Sequence, residues 1–435
     1  MGEAKPKNRS NAIFFLVLFL LSPSVGFLIE VALNLTGGAA TMVKSITFMP
    51  TFFIWLFRKP VYKSHSLTTP MVSIMAIAIV LTGMSVIKNF SAPVSTLDAG
   101  SISLVVKFIL LAFFYMTAIW KMRCFSTHEV CRALAIWCLL DMGISFILYF
   151  GYTPVRDWNP NSLSLRLATA GFVGMAMFKL PLFRIGMVAL AVGMPFALRC
   201  RTAFLAITAS YMMIPVERFT LKRRSLLILG LILGTIPLML FATDLAKGGK
   251  DLAKRSLGSS NPVIEFFLFD KTADRIDDDF LNRRERWEKG AEIMLNSPLF
   301  GVGMGNELFF TGRLRSHNAY LSCAIEIGIP ACLAWIVLYV YGFFILFKIG
   351  TDLKLDRTDY PNLHMLAVGA MTALLLSSIP ESSGFFSLST PTNLVALVAM
   401  SSVIWAAVHR KRQNRLERFR KSLSYASAPG GRRRR

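Results

Sequence analysis

The chain has 435 residues, 54% of them hydrophobic and only 17% charged, with a mean hydropathy of +0.53, which excludes an ordinary soluble globular domain. Its formal net charge is +23, yet the polar segment 243–316 holds twelve Lys/Arg and twelve Asp/Glu, so the whole excess lies among the apolar runs and in the tail. Charge placed that way suits cytoplasmic loops and anionic lipid heads, and no nucleic acid is expected as a partner.

Backbone polar groups in hydrocarbon must be satisfied within the segment, so the recurring apolar runs predict an all-α polytopic membrane protein. Lys5, Lys7 and Arg9 put the start of the chain inside and lead into a span at 12–33. No small-residue cleavage site follows its apolar run at 13–31, which therefore reads as a retained helix. Spans follow at 42–57, 70–87, 102–120 and 133–151, with Arg58, Lys59 and Lys63, then Lys121, Arg123 and Arg132, marking the inner loops. An outer loop at 152–166 leads to a hairpin over 167–199 that turns inside at 179–184 and leaves Arg199 and Arg201 outside. The run 202–216 returns to the basic stretch 217–224, and 225–242 leads out again.

Segment 243–316 then reads as one large periplasmic loop of short helices. A long helical stretch at 317–347 and spans at 361–380 and 391–408 close the bundle, leaving 409–435 as a basic cytoplasmic tail. The expectation is about twelve membrane-spanning helices, nine of them within 1–242 and three within 317–408, with both termini cytoplasmic. No internal repeat of the inverted-transporter kind is visible. None of the six cysteines falls in 243–316. Cys124, Cys131 and Cys138 recur every seven residues and read as small apolar groups on one helix face.

Basic side chains on the outer side run against the positive-inside bias and need a reason. Arginine presents a fixed fork of donors that suits a diphosphate, and a lipid-linked diphosphate is the obvious anion at that depth. Arg201 takes that reading, while Arg199 serves either the anion or the interface as a snorkelling anchor. In Arg283-Arg284-Glu285-Arg286-Trp287, helical spacing brings Arg283 and Arg286 near Trp287 and the face of Gly290, and turns Arg284 elsewhere. Downstream, Gly301, Gly303 and Gly305 let the backbone approach either a ligand or another segment closely.

Arg315-Ser316-His317-Asn318-Ala319-Tyr320-Leu321 meets the membrane next, followed by Glu326 and Gly328-Ile329-Pro330. Imidazole can take a proton near neutral pH, and Asn318 and Glu326 read as buried hydrogen-bonding groups. The acidic run Asp277-Asp278-Asp279 reads as a solvated loop, and no metal site is expected. Glu30, Lys44, Lys107 and Asp141 are ionisable groups within apolar runs and keep a transport role open.

In this order the motifs resemble the O-antigen ligase/polymerase family. They are Arg201-Thr202 at a helix mouth, Arg283 four residues before Trp287, Pro298-Leu299-Phe300-Gly301-Val302-Gly303, and His317-Asn318-Ala319-Tyr320-Leu321 leading to Glu326-Ile327-Gly328-Ile329-Pro330. The diagnostic part covers 199–330. Cys200 stands where the family more often has serine, and Ala331 where glycine is common. The resemblance implies a glycosyltransferase that needs neither metal nor cofactor. It would work on the periplasmic side of a Gram-negative inner membrane, taking a glycan from undecaprenyl diphosphate with inversion.

Carried over residue by residue, Arg201 and Arg283 would hold the diphosphate, and His317 would deprotonate or orient the acceptor hydroxyl, or hydrogen-bond the diphosphate. Arg199, Arg286, Arg315, Asn318, Tyr320 and Glu326 are the further substrate-binding candidates. The acceptor implied first is lipid A-core, making a ligase, and next a lipid-linked oligosaccharide, making a polymerase. A polysaccharide or lipid flippase is the reading from a different class.

Overall fold

The computed structural model describes residues 6–33, 46–47, 54–56, 59–62, 68–90, 100–152, 160–197, 200–213, 273–304, 306–310, 316–352, 361–379 and 391–426. These residues are helical with short connections, and no strand occurs among them. The helices are α1 (Pro6–Ala32), α2 (Thr68–Phe90), α3 (Gly100–Tyr115), α4 (Thr127–Tyr152), α5 (Pro160–Met177), α6 (Pro181–Ala197), α7 (Arg201–Met213), α8 (Ala273–Asn296), α9 (Glu307–Phe310), α10 (Ala319–Ile327), α11 (Ile329–Asp352), α12 (Pro361–Ser377) and α13 (Pro391–Ala426).

Five stretches are long and apolar enough to cross a membrane: Thr69–Phe90, Val105–Cys124, Thr127–Leu148, Ile329–Ile349 and Pro391–Ser422. Shorter apolar helices occupy Asn11–Gly26, Leu163–Met177, Pro181–Gly193 and Asn362–Ser377. The expected span 225–242 lies outside the described residues, as does most of 42–57. Of the segment 243–316, the part before Ala273 lies outside them too.

The last helix is the hub. Residues 391–408 of α13 are almost wholly buried, and the helix packs on α1, α2, α4, α5, α11, α12 and the end of α3. Its 36 residues measure about 54 Å against a hydrocarbon layer of about 30 Å, so the basic turns beyond His409 extend past the bundle. The expected span ended at residue 408. The helix runs on to Ala426 because residues 409–426 contain no proline or glycine to stop it.

Several polar groups at depth find partners within the bundle, where lipid offers none. Pro23 inside α1 cannot donate to the Phe19 carbonyl, and the Ser22 hydroxyl does so instead at 2.7 Å. α3 ends in a π turn, Met116–Trp120, and a 3-10 turn, Lys121–Cys124, rather than the plain helix expected to 120. The indole of Trp405 donates to Ile119 O there at 2.8 Å, giving that irregular backbone a partner. Tyr115 and Tyr339 share a hydrogen bond at 2.7 Å, and Tyr339 donates to Asn393 Oδ1 at 2.6 Å, tying α3, α11 and α13 together.

Other local expectations change as well. Cys124 lies in the 3-10 turn before α4, so of the three spaced cysteines only Cys131 and Cys138 share a helix. Arg166, expected in an outer loop, lies within α5 and pairs with Asp141 at 3.1 Å. The Ser24 hydroxyl also donates to that carboxyl, so Asp141 is bound into the packing of α1, α4 and α5. The stretch 317–347 is two helices, because Gly328 takes φ +86° between α10 and α11.

Candidate functional site

The expected histidine sits in a turn whose neighbours are tied on both sides. Asn318 has extended backbone and caps α10, its Oδ1 accepting the N–H groups of Tyr320 and Leu321 at 3.0 Å each. Ser316 is fully buried and has all its polar groups engaged. Its N–H donates to Glu307 Oε1 at 2.7 Å, its carbonyl accepts from Trp287 Nε1 at 2.6 Å, and its hydroxyl lies 2.8 Å from Ser322 Oγ. The Ala319 N–H donates to Ser378 O at 2.9 Å, at the end of α12. Between them His317 adopts φ +50°, the sole positive φ of a non-glycine among the described residues. A left-handed backbone costs an L-residue roughly 1–2 kcal/mol, so this turn is held by its neighbours.

The glycine-rich segment 298–304 supports that turn from behind. Val302 N–H donates to Ile325 O at 2.8 Å, Gly303 N–H to Glu326 O at 2.9 Å, and Ile329 N–H to Pro298 O at 2.8 Å. Gly301, at φ +62°, approaches so closely that a Cβ there would stand 2.5 Å from Ile325 O. A Cβ on Gly328 would collide with the Leu299 carbonyl. Of the two uses open to these glycines, close approach to another segment accounts for Gly301, while Gly305 lies outside the described residues. The donors of Val302 and Gly303 are engaged by the carbonyl end of α10, and the two motifs form one interlocked piece. Asn89 of α2 adds hydrogen bonds to Phe300 O and Gly301 O at 3.3 and 3.4 Å.

Helix α8, which carries the arginine cluster, packs against this piece. Gly290 packs on Leu321 and Ile325 of α10, and Trp287, one turn earlier, reaches Ser316. Arg283 lies one further helical turn back along α8. Arg286 is half-buried, and its Nε is buried without a hydrogen-bonding partner among the described residues. The acids Asp277, Asp278 and Asp279 lie in the second turn of α8 rather than in a loop. Among the described residues no group of three or more His, Cys, Asp and Glu is arranged to hold a metal ion.

Arg201 opens α7. Leu165 of α5 packs with Cys200 and Ala203, and Phe172 with Tyr211 at a ring separation of 5.1 Å, so α5 and α7 run in parallel. Thr169 of α5 meets Thr392 in the first turn of α13 at 2.7 Å, and Ser210 of α7 donates to Gly369 O of α12 at 2.8 Å. α12 starts beside the far end of α11, where His364 Nε2 lies 2.9 Å from Leu346 O, and finishes beside the histidine turn. Arg201 thus begins its helix at the end of the bundle that carries His317. Arg199 and Arg315 lie outside the described residues. Tyr320 is half-buried and donates to Leu375 O at 3.0 Å, which engages its hydroxyl in joining α10 to α12. Glu326 contributes its main-chain carbonyl to the glycine segment.

Sequence gives Glu307 no role and Ser316 only a place in the histidine motif. Nothing in spacing links a glutamate in a polar segment to a serine nine residues on, and only the folded turn brings them together.

Fold and site together define an all-helical, multi-pass membrane protein with a strained histidine turn packed against an arginine-bearing helix. Residues 186–336 match the family model described as O-antigen ligase, a stretch that takes in Arg201, Arg283 and His317. That match supports assignment to the O-antigen ligase/polymerase family, and with it glycan transfer of that general type by a glycosyltransferase-like enzyme. Among the curated proteins none matches the chain.

Proposed function

We propose that this protein transfers a glycan from undecaprenyl diphosphate to an acceptor hydroxyl at the periplasmic face of a Gram-negative inner membrane, ligating O-antigen to lipid A-core. The observation that carries the reading is the His317 turn, fastened through Ser316 to Trp287 one helical turn from Arg283, within the stretch that matches the O-antigen ligase model. The acceptor oxygen attacks the anomeric carbon from the face opposite the diphosphate, forming the new glycosidic bond as the bond to the diphosphate oxygen breaks, with inversion. His317 takes the hydroxyl proton, and the electron pair leaves with undecaprenyl diphosphate.

Arg201 and Arg283 hold that leaving group and neutralise its growing charge, which lets a diphosphate depart without an acid. Arg286, with a buried donor unmatched among the described residues, is a further ligand for the same anion, as are Arg199 and Arg315. Asn318 and Tyr320 then act chiefly by shaping the turn. The segment 243–316 forms the periplasmic wall of the site, and the basic tail lies in the cytoplasm.

Deleting the gene tests this. Ligation predicts lipopolysaccharide ending at its core, with polymerised glycan retained on the carrier lipid. A core bearing a single repeat would make the protein a polymerase that joins lipid-linked repeats. If both fractions were unchanged, the reading would be wrong.

A further inference from the structure

Glu307 opens the short helix α9 and is only 3% exposed, yet its side chain reaches out of its own helix to the main chain of Ser316. Trp287 takes the other main-chain group of the same residue from α8. These two contacts engage both main-chain polar groups of Ser316, and the next residue is the one non-glycine with φ in the left-handed region among the described residues. Beyond it, the Asn318 cap and the Ala319 bond to Ser378 fix the exit. Withdrawing the Glu307 acceptor would leave a buried N–H to find another partner, and a shift of Ser316 toward that partner would carry the next residue, His317, with it.

We propose that Glu307 is a positioning residue for His317. It holds the strained turn that aims the imidazole at the acceptor hydroxyl, so the rate of proton transfer depends on a carboxyl that never meets substrate. This rests on the reading of His317 given above. The contact asks only for a hydrogen-bond acceptor of the right length, which an amide oxygen supplies as well as a carboxyl oxygen does.

The test compares Glu307→Ala, Glu307→Gln, Trp287→Phe and His317→Ala as full-length proteins in lipid nanodiscs, with an undecaprenyl-diphosphate glycan as donor and saturating lipid A-core as acceptor. Thermal melting of each sample gives the folded fraction. Glu307→Ala is expected to lower kcat per folded molecule about 100-fold, the scale of a catalytic group displaced by an ångström, with donor KM changed less than about threefold. Glu307→Gln should recover most of that loss. Trp287→Phe, which keeps the ring and removes the donor, should fall between native and Glu307→Ala.

The positioning role is overturned by a native kcat in Glu307→Ala, by a loss that merely tracks unfolding, or by a change confined to KM. Should the alanine variant fail to fold, the glutamine variant decides: near-native kcat supports the role, and a kcat as low as that of His317→Ala would overturn it. Native activity in His317→Ala would instead remove the functional reading underneath, and that arm separates the two failures.

Discussion

Asp141 of α4 and Arg166 of α5 meet at 3.1 Å with the carboxyl fully buried and the guanidinium nearly so. An acid within an apolar run is a transport group by default, but this one has a cation and the Ser24 hydroxyl as fixed partners. A pair so enclosed is costly to break from one side. Arg166→Ala should destabilise the bundle by about 3–5 kcal/mol because it strands the carboxyl. The double variant Asp141→Asn, Arg166→Gln should recover much of that. Unfolding in detergent measures both, with transfer per folded molecule unchanged. An Arg166→Ala protein that melts with the native one would show the pair to be dispensable.

The interlock between residues 298–304 and the end of α10 makes a second set of expectations. Gly301→Ala and Gly328→Ala each place a Cβ against a carbonyl, at a residue with positive φ. Each should lower the melting temperature and reduce transfer, since the backbone strain alone is roughly 1–2 kcal/mol before any clash. Gly186→Ala, where a Cβ meets nothing within 4 Å, should be neutral.

Asn318 offers a finer test of the turn. Removing its side chain frees the Tyr320 and Leu321 N–H groups and should cost about 1 kcal/mol. Asn318→Asp and Asn318→Ser retain a capping oxygen and should remain close to native in melting temperature. Equal damage from Ala and Asp would show that the amide nitrogen matters instead.

How much of this was legible beforehand depended on the kind of signal. Apolar length announced α2, α4, α11 and α12, and the break between α5 and α6, at 178–180, overlaps the turn expected at 179–184, of which Pro181–Arg184 are helical instead. Helical spacing put Trp287 and Gly290 on one face, and both meet the piece that carries His317. Hydropathy could not show that α13 is the buried hub, because a lipid-facing and a protein-facing apolar helix have similar composition. Nor could it show the break at Gly328, where apolar residues continue on both sides and only the φ of one glycine divides the helix. The contacts of Glu307 and Ser316 depend on tertiary closure, which leaves no periodic trace.

Single-residue changes at the proposed charge-bearing positions should separate site from scaffold. Arg201→Ala and Arg283→Ala should each reduce transfer by orders of magnitude, as the loss of a few kcal/mol of charge-assisted contact implies, with the protein still in the membrane. Arg284→Ala and Asp278→Ala should be mild. A chelator should leave the rate unchanged, because arginine carries the charge stabilisation. Loss of activity on chelation would contradict that.

The most direct measurement is transfer by the purified protein in nanodiscs, given an undecaprenyl-diphosphate glycan and lipid A-core, with product formation and release of undecaprenyl diphosphate followed together. The account predicts one carrier diphosphate released for each new acceptor glycoside, and almost none of either with His317→Ala. Movement of the donor across a sealed bilayer without any new glycosidic bond, or equal product formation by His317→Ala, would contradict it.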